Sequence, residues 1–237
     1  MRYIISSLLF FFFAILLIGN TALAQIPPHP IQNDKDLHQI LLKIYASNPY
    51  TTFCNESFNK EGLLQTFPIH STAAEKKIQW MHLVTKKELA ATRPCFENKI
   101  CMNKNGQRFK GLLCCKQSDA LYKIMLYDLH NRLPTSKHIL RLRSTLSFDA
   151  IAQSSGEKRQ DCALYFHAKT KVLEPEDALK GEIARIYLYM YDTYSIPLSQ
   201  SKIELFKSWH YQYPPGPWEK KKNLAIQKIQ GNVNPYV

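Results

Sequence analysis

His82 lies in the apolar stretch Trp80-Met81-His82-Leu83-Val84, where a neutral imidazole has a lone pair able to take a proton from an attacking water. Taken alone, a histidine in such company is more commonly a core or surface residue than a base. Three groups of cations carry complementary chemistry: Arg108 with Lys110, Arg141 with Arg143, and the run Lys220-Lys221-Lys222. Such clusters grip phosphate oxygens without reading bases, although any one of them is more commonly a solvated helix face or loop. Tyr187, Tyr189, Tyr191 and Tyr194 recur in a helical stretch, which makes most of them core or interface aromatics and a minority candidates for stacking on bases.

The remaining reactive set is six cysteines, Cys54, Cys95, Cys101, Cys114, Cys115 and Cys162. They read as disulfides, because the chain opens on an export leader. Arg2 supplies a basic start, residues 4–18 are almost wholly apolar, and Ala22-Leu23-Ala24 is a small-x-small cleavage signature. Cleavage near Ala24 leaves 213 of the 237 residues and predicts a periplasmic or secreted product. That length buries a full core, which excludes a scaffold held only by disulfides, and no later run reaches the ~18 apolar residues of a membrane span. Adjacent Cys114 and Cys115 suit zinc poorly, since its sites favour ligand pairs a few residues apart. The pairing of the six thiols stays open. The net charge of +12 falls to +11 when Arg2 leaves with the leader, which favours nucleic acid, anionic lipid or acidic glycans as partners.

The elements that must position these groups read as helix-rich α+β. No repeat or low-complexity block divides the chain, so a flexible proline-rich arm over 25–35 is expected to lead into one domain over 36–237. Leu37, Ile40, Leu41 and Ile44 predict a helix over 36–47. Residues 77–84 suit a strand, and 94–115, with four cysteines and two glycines, suit a disulfide-held loop. Ser118 is the expected cap of a helix reaching about 130, with Pro134 beyond its end. Three more helices are predicted over 175–194, 201–211 and 218–230, the second opened by the capping pair Ser201 and Glu204 and the third bracketed by Pro217 and Gly231.

The last third of the chain has specific wording: Gly181-Glu182-Ile183-Ala184-Arg185-Ile186-Tyr187-Leu188-Tyr189-Met190, Leu205-Phe206-x-x-Trp209, Pro217-Trp218-Glu219 and Ile229-Gln230-Gly231-Asn232-x-Asn234-Pro235-Tyr236. Upstream stand Thr52-Phe53-Cys54, Trp80-x-His82-x-Val84, Phe109-Lys110-Gly111-x-x-Cys114-Cys115 and Asp128-Leu129-His130-Asn131-x-x-Pro134. In this order and spacing the chain resembles the bacterial endonuclease I family, secreted or periplasmic nucleases that cut DNA and RNA with little sequence preference. The resemblance implies a ββα-metal finger, also called the His-Me finger. There a strand histidine acts as base on water while a divalent metal, usually magnesium, holds the scissile phosphate. His82 matches that histidine, and Arg143 matches an arginine that would flank the phosphates.

Three positions depart from the pattern the resemblance implies. The family reads Trp-Glu-His at the strand, its Glu a metal ligand, where this chain has Met81, and a thioether is too soft for magnesium. Leu140 stands where the family's asparagine ligand is expected. Leu112 replaces an arginine that steadies the phosphate after cleavage. An exported protein that contacts DNA or RNA, with phosphodiester hydrolysis impaired or lost, is therefore the expected function. One alternative is an active metal-dependent endonuclease whose site is rebuilt around His82 from Glu88, Asp128, His130 or His138, a set that would favour zinc or copper over magnesium. A second is a protein-interaction module in which Met81, Leu112 and Leu140 form an exposed apolar patch for a protein partner.

Overall fold

Apolar residues at helical spacing draw α1 (Asp34–Tyr45) onto the core through Leu37, Leu41, Leu42, Ile44 and Tyr45, and Asn33 caps it by accepting from the Asp36 amide. The computed structural model describes residues 31, 33–66, 72–73, 75–151, 157–158 and 162–237. The expected leader and most of the expected arm lie outside them, but α1 begins two residues inside the arm's predicted span, and Ile31 is buried.

After α1 the chain reaches β1 (Gln79–His82), then α2 (Lys86–Ala90), which sequence periodicity does not announce. A capping box defines α2: Thr85 accepts from the Glu88 amide, and the Glu88 carboxylate accepts from the Thr85 amide. The region expected as a disulfide-held loop holds α3 (Pro94–Glu97), a small hairpin of β2 (Cys101–Met102) and β3 (Arg108–Phe109), and the start of α4 (Leu112–Ser118). The neighbouring cysteines take different partners, Cys115 with Cys95 and Cys114 with Cys101, which clamps α4 to α3 and to β2. The third bridge, Cys54–Cys162, closes a separation of 108 residues. All six thiols are bonded.

Ser118 does not cap the next helix. It ends α4 with its hydroxyl donating to the Cys114 carbonyl, and Asp119 caps α5 (Ala120–Tyr127) by accepting from the Tyr122 amide. The helix stops before Asp128, and a separate 3-10 turn, Leu129–Asn131, leads into β4 (Arg132–Thr135). Strands β1 and β4 pair antiparallel, with Met81 opposite Leu133 and His82 opposite Arg132. The helix α6 (Lys137–Arg143) follows directly, giving an antiparallel ββα unit.

A second sheet has the order β5 (Ser147–Phe148), β8 (Val172–Pro175), β7 (Leu164–His167) and β6 (Glu157–Lys158), with β5 parallel to β8 and the other pairs antiparallel. Three helices close the chain: α7 (Asp177–Tyr194), α8 (Gln200–Gln212) and α9 (Pro217–Gln230). Pro175 ends β8 instead of opening α7. Ser199, rather than Ser201, caps α8 through the Lys202 amide. Gly231, at φ 89°, ends α9 in the left-handed region that glycine adopts without strain.

The helices are joined by a buried ion pair. Arg185 of α7 donates from Nε and Nη2 to the two Glu219 oxygens of α9, each at 2.6 Å, and from Nη1 to the Tyr213 carbonyl at 2.7 Å. Gly181, one turn earlier, makes room for this: a Cβ there would lie 2.0 Å from the Tyr213 oxygen and 2.8 Å from the guanidinium. Glu219→Gln should destabilise the protein by about 3–5 kcal/mol in urea unfolding, because it leaves Arg185 buried without its counter-charge. The double change Arg185→Met with Glu219→Met should cost less than the single one. A single change no worse than the double would show that the pair is not under this electrostatic constraint.

Candidate active site

Side chains alternate across a strand, so β1 splits the residues next to His82 between two environments. Met81, 1% exposed and opposite the fully buried Leu133, belongs to the core. His82 and its cross-strand partner Arg132 instead line a cleft of about 340 Å³, together with Lys86, Leu112 and Leu113, and Lys116. Of the three replaced positions, only Leu112 joins His82 there. Leu140 is half-buried against the core from α6. Met81, Leu112 and Leu140 therefore form no common exposed patch, and the expectation of an apolar docking face built from them is corrected by the alternation of β1.

Both ring nitrogens of His82 are engaged. Nε2 lies 3.1 Å from the Leu126 carbonyl, which can only accept, so this nitrogen carries the proton. Nδ1 lies 3.1 Å from Arg132 Nη1, which can only donate, so the lone pair of the ring is directed at a guanidinium. Burial, reinforced by the charges of Arg132 and Lys86, holds the imidazole neutral to well below its usual range. The proton state suits a base, but the atom that would accept the proton is already occupied. Arg132 is the functional residue that sequence reasoning missed. It sits between Asn131 and Pro134, and the signal was a charge in an otherwise apolar strand facing His82.

The strand is held in register by Asn131, whose side chain accepts from the Val84 amide at 2.7 Å and donates to the Val84 carbonyl at 3.0 Å. Asp128, wholly buried, accepts from the His130 amide, Gln230 Nε2 and the hydroxyls of Tyr189 and Tyr194. The ring of His130 packs on Tyr189, with Nε2 3.3 Å from the Asn232 carbonyl. Glu88 is shared between Arg143 and the Tyr187 hydroxyl. His138 is exposed on α6. The groups considered for a rebuilt metal site are thus not brought together, and among the described residues no group of three or more His, Cys, Asp or Glu side chains could hold a metal ion. Magnesium requires hard oxygen ligands, and neither Met81 nor Leu140, at the positions the resemblance assigns to its ligands, offers one, so those positions do not fit it.

The cations divide in the same way. Arg143, expected to flank phosphates, is 4% exposed. It donates to the carbonyls of Leu146 at 2.6 Å and Leu83 at 2.9 Å and to the Tyr187 hydroxyl at 2.6 Å, and it pairs with Glu88 at 3.2 Å. Lys222 is buried against Glu182. Arg108, Lys110, Arg141, Lys220 and Lys221 are exposed; Lys110 donates to the Glu97 carbonyl, and Arg141 lies 3.8 Å from Glu75. Tyr187, Tyr189 and Tyr194 are buried, with hydroxyls committed to Glu88 or Asp128, and Tyr191 is half-buried.

Burial also pulls His130 below its ordinary value of 6.5, so His82 and His130 are both neutral in the folded protein and take up protons on unfolding below about pH 6.5. The unfolded chain then binds more protons, and stability falls as pH falls. His82, held well below its usual range, should cost about 1 kcal/mol per pH unit below 6.5, and His130 adds to the fall in the same direction. His82→Gln, which keeps a donor and an acceptor but does not titrate, should flatten the fall of the urea midpoint between about pH 7.5 and 5.5. An unchanged slope would mean that His82 is not held neutral.

The family described as Endonuclease I matches residues 29–237. The chain is 31% identical to "Endonuclease-1" of Buchnera aphidicola subsp. Baizongia pistaciae (strain Bp), over 95% of this chain and 92% of that protein. It is 27% identical to a "Periplasmic deoxyribonuclease" of Aeromonas hydrophila, over 94% and 93% of the two chains. An "Extracellular deoxyribonuclease" of the same organism is 28% identical over 91% and 93%. A match that runs from residue 29, ahead of α1, to the last residue, through the ββα unit and the helices that hold it, places this disulfide-bonded α+β chain in the endonuclease I family.

Proposed function

We propose that the protein is an exported member of its family that contacts nucleic acid without sequence preference and in which metal-dependent phosphodiester hydrolysis is impaired or lost. One observation carries the reading: the Nδ1 lone pair of His82, in the position of the family's general base, is taken up by Arg132 at 3.1 Å. The donor set supports it, since Met81 and Leu140 occupy the positions that the resemblance assigns to metal ligands. In this reading β1, β4 and α6 are the His-Me finger, retained as a scaffold, and His82 keeps the place of the base. Loss of metal and phosphate stabilisation removes what is commonly the largest catalytic contribution. Residues 1–24 serve as the leader, and 36–237 form the endonuclease I-like domain. The names of the relatives, deoxyribonucleases of the periplasm or the medium, favour DNA as the nucleic acid and export as the destination.

Arg108, Lys110, Arg141, Lys220 and Lys221 provide the exposed phosphate contacts, while Arg143 and Lys222 act inside the fold. Fluorescence anisotropy with duplex DNA should show binding that weakens steeply between about 50 and 200 mM salt and is indifferent to sequence. Affinity that is absent at low salt, or flat across the range, counts against nucleic acid as the partner.

Purified protein incubated with supercoiled plasmid and magnesium, manganese or zinc should nick it at least about 10²-fold more slowly than an active family member. Comparable nicking with any of these metals would overturn the reading. Restoration is the complementary test. Met81→Glu, Leu112→Arg and Leu140→Asn should return magnesium-dependent nicking when Arg132→Leu also frees Nδ1 of His82, and single changes should do little because such groups act as a unit. Met81→Glu places a carboxylate in the core and risks several kcal/mol of stability, so circular dichroism must first establish folding. A folded four-site variant without activity would show that the loss of function lies elsewhere.

A further inference from the structure

Four cationic side chains are buried among the described residues: Arg132, Arg143, Arg185 and Lys222. Three of them face a carboxylate, Arg143 with Glu88, Arg185 with Glu219 and Lys222 with Glu182. Arg132 has no ion-pair partner among the described residues. Its guanidinium donates to the carbonyls of Trp80 and Leu126 and to Nδ1 of His82, and its Nε, also buried, has no hydrogen-bond partner. A buried charge without a counter-ion in contact costs several kcal/mol; Asp34 and Asp128 act on this one only from beyond ion-pair distance, and it lies in the wall of the cleft.

The rest of the cleft repeats that imbalance. Lys86 and Lys116 line it, and the one carboxylate there, Asp34, is exposed and lies 3.8 Å from Lys116. Desolvation and the neighbouring charges of Arg132 and Lys116 push the Lys86 ammonium below its usual range, against the opposing pull of Asp34. Leu112, Leu113 and Leu126 supply apolar walls, which strengthen any electrostatic attraction inside. The volume falls at the lower end of small-ligand sites.

We infer that this cleft binds a phosphate monoester without a metal ion, Arg132 serving as the central anchor and Lys86 and Lys116 closing on the outer oxygens. The inference rests on the nucleic-acid reading above and gives it a specific contact, the terminal phosphate of a strand. The planar fork of an arginine matches phosphate oxygens in pairs, and a doubly charged monoester gains more from three cations than a backbone diester does. On binding, the guanidinium turns its donors from His82 to the phosphate.

The probes are inorganic phosphate and a short single-stranded oligonucleotide with or without a 5′-phosphate, titrated calorimetrically in EDTA at constant ionic strength. The wild type should bind phosphate and should bind the phosphorylated oligonucleotide at least tenfold more tightly than the unphosphorylated one. Arg132→Met should lower phosphate affinity at least tenfold and Lys86→Met severalfold, while Lys207→Met, on the exposed face of α8, should leave it unchanged. Lys86 is at the surface, so its variant keeps the test valid if Arg132→Met fails to fold. Binding of free phosphate with no preference for the phosphorylated strand would overturn the strand end as the ligand. No phosphate binding in the wild type, or equal binding by the Lys86 and Lys207 variants, would overturn the site itself. Duplex binding that persists when phosphate binding fails leaves the nucleic-acid reading intact, and phosphate binding without duplex binding removes that reading alone.

Discussion

A carboxylate shut off from water must be given donors by the protein, and the way Asp128 receives them determines where everything around His82 can be. The four donors come from three parts of the chain: the turn Leu129–Asn131, the helix α7 through Tyr189 and Tyr194, and the end of α9 through Gln230. Gln230 also accepts from the Leu129 amide, so the turn cannot rotate without breaking both bonds. Asn131 leaves that turn with its side chain fixed and clamps Val84, two residues beyond His82. The Asp128 carboxylate is fully supplied with donors, and a satisfied group of this kind specifies one geometry where a partly satisfied one would not.

This arrangement explains which part of the molecule is legible in its sequence. Asp128, Asn131, Arg185, Glu219, Gln230 and Asn232 are among the residues that make the chain resemble endonuclease I, and every one of them is a scaffold residue here. The long helices announced themselves through apolar spacing and terminal glycine or proline. The strand expected over 77–84 contains β1, whereas the other short strands and α2 did not announce themselves, because segments of two to five residues carry too little periodicity to rise above their neighbours. Ser118 and Ser201 looked like caps, yet Asp119 and Ser199 perform that task, a shift of one or two residues that local pattern cannot resolve.

The site was legible only in part, and the reason is electrostatic. Counting charges treats each cation as available, whereas Arg143 and Lys222 are consumed by partners distant in sequence. Arg143 carried a sign of this: it stands four residues after the buried Ile139, on the inward face of α6. Arg132 carried the opposite sign, being a strand cation with no acidic residue opposite it. The contrast between two buried arginines, one matched by a carboxylate and one held by carbonyls and an imidazole, becomes visible only when the strands are paired. It also separates a residue that maintains the fold from one that imposes an electrostatic demand on the cleft.

The division of Cys114 and Cys115 between two bridges has a consequence for how the cleft is held in each redox state. Leu112, Leu113 and Lys116, which form one wall, lie on α4, a seven-residue helix too short to persist on its own and pinned by Cys95 and Cys101. While the thiols are reduced, as during synthesis, nothing covalent holds that wall against His82 and Arg132. The two bridges therefore fix that wall covalently, and a chain retained in a reducing compartment would hold it by side-chain packing alone.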